Sequence, residues 1–193
     1  VTANSARGGT ASGTVVGSGA ALKLNGVSYT AAEALSLNGS GVSGGGALAN
    51  SGTSSYAGQI IAATHSTINT GGGTLTVTGG LVKNGTTLTI VGGGRVNVNT
   101  VGISGASASS DLVVDGTTLV VNAASNYNGP TTVQNSGVLV ANAEIDTTTV
   151  TVSSNSTLSG TGRFDAASGN FIVINGTLQV GDSLLLEEAP ATV

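Results

Sequence analysis

A three-residue pattern recurs along this chain and constrains its fold more than any other feature. Two apolar residues flank one other residue, and a turn of Gly, Asn or Ser follows. The pattern reads Leu22-Lys23-Leu24, Leu35-Ser36-Leu37, Leu75-Thr76-Val77, Leu88-Thr89-Ile90 and Val96-Asn97-Val98, then Leu119-Val120-Val121, Val138-Leu139-Val140, Val150-Thr151-Val152, Ile172-Val173-Ile174 and Leu178-Gln179-Val180. Alternation at period two puts the outer pair on one side of a strand. The turns include Asn25-Gly26, Asn38-Gly39, Asn84-Gly85, Asp115-Gly116 and Asn175-Gly176, residue types that tolerate a change of chain direction. Only Ala31-Ala32-Glu33-Ala34-Leu35 has a helical look. It is too short for a helix and reads as a turn entering a strand.

The chain is therefore expected to be all-β, and three architectures compete. A sandwich wants longer strands, and a membrane barrel wants segments of about 10 alternating residues with aromatic girdles. Aromatic residues are only 3% here, with no Trp, so the core must be thin and aliphatic. Val and Thr, both β-branched, suit a pleated surface. A parallel β-helix, or β-solenoid, fits best. With coils of roughly 20 to 25 residues the chain makes about 8 to 9 coils, stacked at about 4.8 Å into a body about 40 Å long. We treat residues 1–193 as one solenoid segment, with 183–193 set apart as a tail of different character.

Composition narrows the function. Charged residues are 7%, the net charge is −4 and the pI is about 4.6. An acidic chain whose five basic residues (Arg7, Lys23, Lys83, Arg95 and Arg163) are scattered is not expected to bind nucleic acid. No apolar run reaches the roughly 20 residues of a membrane helix, so no insertion by this segment is expected. There is no Cys, which excludes disulfides and thiolate metal sites. There is no Met, and we expect a segment of a longer polypeptide.

At this point the residues resemble a known family. The stretch from Leu88 to Val140 runs through TTLVVNAASNYNGPTTVQNSGVLVAN and is similar to the autotransporter-associated β-strand repeat. Leu119, Val121, Tyr127, Gly129, Thr131, Thr132, Val133, Gly137, Val138 and Val140 fall on its typical positions. TVTVSSNSTLSGTGRFD, from Thr149 to Asp165, resembles another coil of that family, and Ala21 to Ile60 and Gly71 to Gly80 resemble a sister segment. Tyr56-Ala57-Gly58 and Tyr127-Asn128-Gly129 read as equivalent landmarks three coils apart. The resemblance runs from about Thr14 to Asp182, and Leu184-Leu185-Leu186-Glu187-Glu188 departs from it. It implies a right-handed parallel β-helix on the exported passenger of a Gram-negative autotransporter or a giant surface repeat protein.

Little in the chain points to catalysis. General acid–base work needs two groups at fixed separation, and the carboxylates are mostly far apart in sequence. Asp111 and Asp115 are the closest Asp pair, and they flank a strand-like Leu112-Val113-Val114. A carboxylate pair on neighbouring coils would be the minimum for a polysaccharide lyase or hydrolase. His65 is the one histidine and has no activating context. Gly44-Gly45-Gly46, Gly71-Gly72-Gly73 and Gly92-Gly93-Gly94 lack the Asp of calcium-binding β-rolls and read as tight corners. Tyr56 and Tyr127 are either ligand-contacting aromatics or corner aromatics. We expect no catalytic, cofactor or metal residues. The expected role is a non-enzymatic extracellular stalk or adhesin segment on the outer surface of a Gram-negative cell. Its partners would be adjacent coils, neighbouring copies end to end, or surface glycans. The alternatives are a glycan-binding module and a self-assembling filament or lattice subunit.

Overall fold

A computed structural model describes residues 12–166, 171–181 and 185–188. Every paired strand in it is parallel to its partner, and each coil contributes three short strands, giving three faces. The first face stacks Leu22–Asn25, Leu48–Ser51, the end of Ile60–Asn69, Leu88–Val91, Leu112–Asp115, Thr131–Gln134, Val150–Val152 and Ile172–Ile174. The second stacks Ser28–Tyr29, Thr53–Tyr56, Thr74–Val77, Arg95–Val98, Thr118–Val121, Val138–Ala141, Thr157–Gly160 and Thr177–Val180. The third begins with Thr14–Val16, Leu35–Gly39 and the start of Ile60–Asn69. It continues through Leu81–Lys83, Ile103–Gly105, Ser125–Tyr127, Ile145–Thr147, Arg163–Ala166 and Leu185–Glu188. Ile60–Asn69 turns the corner without a break and joins the first and third faces into one 16-stranded sheet.

The result is a parallel β-solenoid of about eight turns. Coil length varies, from 19 residues at Val138↔Thr157 to 27 at Ser28↔Ser55. Among the described residues the one helical element is the short 3₁₀ turn Val42–Gly44, and Ala31–Ala34 is indeed a corner entering the strand at Leu35.

Period two supplies the core. Leu35, Leu37, Leu75, Val77, Leu88, Ile90, Val150 and Val152 all point inward and are buried, as the alternation predicts. Stacked in register they form columns, for example Leu75, Val96, Leu119, Leu139 and Leu158 on the second face. Each such side chain contributes roughly 1.5–3 kcal/mol of apolar burial.

Val138 and Val140 depart from the expectation. They are half-buried on the outer side, while Leu139 and Ala141 face in. All four residues are apolar, so alternation along this strand is degenerate. Register against Leu119 and Val121 one coil earlier decides it.

The landmark pair also needs correction. Tyr56 ends a strand of the second face and Tyr127 ends a strand of the third. They are not equivalent positions, because one coil holds three similar strand-and-turn units. The register partners of Tyr56 are Tyr29 one coil earlier and Val77 one coil later.

Candidate functional site

Polar side chains inside a thin aliphatic stack must be paired, since an unpaired buried group costs about 1–3 kcal/mol. Among the described residues, two interior clusters hold the ionisable side chains Glu33 and Lys83. The first lies at the corner between the second and third faces. Glu33 is buried there and its carboxylate accepts hydrogen bonds from the Tyr29 hydroxyl and the Thr14 hydroxyl. The Tyr56 hydroxyl donates to the Glu33 carbonyl oxygen at 2.6 Å. Gly58 is required beside it, because a Cβ there would come 1.8 Å from that same carbonyl oxygen.

The second cluster centres on Lys83, which period two places on the inward side with Leu81. Its side chain is fully buried. Nζ donates to the Ser110 carbonyl oxygen at 2.5 Å and sits 3.4 Å from the centroid of the Tyr127 ring. Burial pulls the amine down to about 7, while Asp111 acts in the opposite sense. Tyr127 is pushed up to about 12 by burial, with its hydrogen bonding to Thr131 and Thr147 acting in the opposite sense. The hydroxyls run in one direction. Thr147 donates to the Gly129 carbonyl oxygen at 2.8 Å, so it accepts from Thr131 at 3.3 Å, and Thr131 accepts from Tyr127 at 2.6 Å.

Outside the stack, the third face brings acids together. Register pairs Asn126 with Asp146, Asp146 with Asp165, and Asp165 with Glu187. Carboxylate oxygens of Glu144, Asp146 and Asp165 lie within 4.8 Å of one another. Arg163 bridges two of them, 2.9 Å to Glu144 and 2.7 Å to Asp165. Asp146 accepts from the Asn126 amide at 3.3 Å. Its carboxyl is raised above the usual range by burial and by Asp165 and Glu144, with Arg163 opposing. A depression of about 300 Å³ lies alongside, lined by Asn126, Asn128, Asp146, Thr148 and Asp165 among others. Such a surface can hold a cation or the hydroxyls of a sugar. It is open to solvent, so it lacks the exclusion of water that strengthens electrostatic catalysis.

The structure separates most residues that the sequence singled out. Asp111 and Asp115 sit at opposite ends of one strand. Asp111 accepts from the Thr87 hydroxyl at 3.4 Å, and Asp115 from Gln134 at 3.1 Å and Asn135 at 2.8 Å. His65 is exposed and its Nδ1 accepts the Thr87 N–H at 3.0 Å. Tyr56 and Tyr127 are buried, at 0% and 1% exposure, so neither offers a ring face to a ligand. Both act as interior corner aromatics. The Gly71–Gly73 and Gly92–Gly94 clusters are corners between the first and second faces. Arg7 and the side chains of Glu187 and Glu188 lie outside the described residues.

Sequence reading missed the Asp146–Asp165 pair, which is the neighbouring-coil pair set above as a minimum for catalysis. The available signal was the spacing of 19, which equals the local coil length at Thr131↔Val150. It also missed Lys83, whose signal was its place in Leu81-Val82-Lys83, where the other inward positions are apolar or small.

Comparison with known proteins finds no matching family model, no matching curated protein and no matching solved structure.

Proposed function

We propose that this chain is a non-enzymatic structural segment of an extracellular bacterial surface protein, of the autotransporter-passenger type that its repeats resemble. The observation that carries this reading is the ladder itself, which runs through about eight coils on all three faces. Outer columns such as Thr67, Thr89, Val113, Thr132 and Thr151 are short and uncharged. A rod with such a surface holds other parts of a protein at a distance without engaging them. A swap tests it: this segment is replaced in the surface protein by an unrelated β-solenoid of equal length. A spacer survives the exchange with attachment and surface display unchanged. Loss of attachment with normal display would reject the reading.

The depression beside Asp146 favours a second reading, a glycan-binding module, because its Asn, Asp and Thr side chains offer donors and acceptors suited to sugar hydroxyls. A glycan array with the wild type and Asp146→Asn separates the two readings. Binding that the substitution abolishes supports the module, and an empty array supports the spacer.

A further inference from the structure

The second inward column of the third face alternates small and large side chains: Ala62, Lys83, Gly105, Tyr127. Gly105 puts no side chain at the level between Lys83 and Tyr127. A Cβ there would come 1.9 Å from the Lys83 carbonyl oxygen. The amine therefore reaches past one coil to the ring of the next. The cover over this column is the corner Ala106–Ser110. Ala106 to Ser109 are exposed, whereas Ser110 is buried and pinned twice. Its carbonyl oxygen accepts from Lys83 Nζ, and its hydroxyl accepts the Gly85 N–H at 3.1 Å.

Few titratable groups face the amine. Asp111, at the end of the same corner, attracts the ammonium. Tyr127 presents its ring, with its phenol held neutral by burial. The strand one coil earlier contributes Ala62 and the strand one coil later Gly105, neither of which titrates. His65 and Arg95 are exposed. A charge at this position has one carbonyl and one ring face in place of water.

We propose that closing the Ala106–Ser110 corner over Lys83 releases a proton from its amine to solvent, making this corner a lid that alkaline solution locks and neutral or acidic solution loosens. In the open form the amine is hydrated and titrates as an ordinary lysine, near 10.4. In the closed form burial pulls it down to about 7. Between these values the open form holds the additional proton, so opening increases as pH falls. Below the lower value both forms are protonated, and the dependence ends with the lid at its loosest.

Two measurements on the full chain test this. The first follows the Lys83 side chain of the wild type by NMR across pH. A midpoint far below that of Lys23 is expected, and an ordinary lysine midpoint overturns the proposal. The second follows amide exchange at Gly85, whose N–H reports the lid, in the wild type and in Lys83→Met. After correction for intrinsic rate, wild-type opening is expected to rise roughly tenfold per pH unit from 9 down to about 7 and then level off. Lys83→Met should be flat. An unchanged slope in the variant rejects the lid. Should Lys83→Met fail to fold, the wild-type titration decides alone.

Discussion

The rings of Tyr29 and Tyr56 lie parallel within 9°, their centroids 5.3 Å apart, in adjacent coils of the second face. The pair spans the longest coil, and its two hydroxyls converge on one residue. Tyr29 donates to the Glu33 carboxylate and Tyr56 to the Glu33 carbonyl oxygen. A long coil carries more chain to order, and this buried knot offsets part of that entropy.

Glu33→Leu is expected to destabilise the fold by about 1–3 kcal/mol, because the Tyr29 and Thr14 hydroxyls lose their acceptor in the interior. Glu33→Gln, which keeps one acceptor oxygen, should cost less. Urea unfolding of the three proteins gives the order, and equal stability of Glu33→Leu and wild type would contradict the role assigned to the carboxylate.

Register at the ambiguous strand has a sharp readout. Leu139→Asp places an unpaired charge in the core and is expected to cost several kcal/mol or abolish folding. Val138→Asp lies on the outer side and should cost about 1 kcal/mol or less. The reverse ranking in thermal unfolding would mean that this strand is shifted by one residue.

Gly105→Ala tests the close packing beside Lys83. The added methyl meets the Lys83 carbonyl oxygen and Ser110, and backbone in a sheet ladder cannot yield cheaply. A loss of about 1–3 kcal/mol is expected. Gly17→Ala is the control, since nothing lies within 4 Å of the new methyl and its stability should be unchanged.

The acidic ladder predicts a pH effect of defined sign. Repulsion and burial raise the Asp146 carboxyl, so the folded form binds the proton more readily than the unfolded chain. The ionised group therefore opposes folding at neutral pH, and that penalty disappears as pH falls below the ordinary carboxyl range. Asp146→Asn should melt at a higher temperature than wild type at pH 7 and at nearly the same temperature at pH 3. A lower melting temperature at pH 7 would show that the carboxylate is held favourably.

Much of the fold was legible because β-strand alternation and turn chemistry are local. Leu75-Thr76-Val77 and Val150-Thr151-Val152 each declare a strand, its inward pair and its ends without knowledge of the rest. Where the local signal is degenerate, reading failed. Val138-Leu139-Val140-Ala141 has no polar residue to mark the outside, and only pairing with Thr118–Val121 sets its phase.

The sequence by itself determined that this chain is an all-β repeat with a thin aliphatic core, because composition and period two leave no other way to bury Val, Leu and Ile in such short strands. Tertiary structure decided which residues share a column. Coils range from 19 to 27 residues and each holds three similar strands, so sequence separation alone does not tell a neighbour above from a neighbour on the next face. For that reason Tyr56 and Tyr127 looked equivalent and are not, and Asp146 and Asp165 looked distant and are adjacent. Lys83 was one of five scattered basic residues, yet its side chain lies in the core, where Gly105 adds no side chain of its own and the Tyr127 ring packs against the amine.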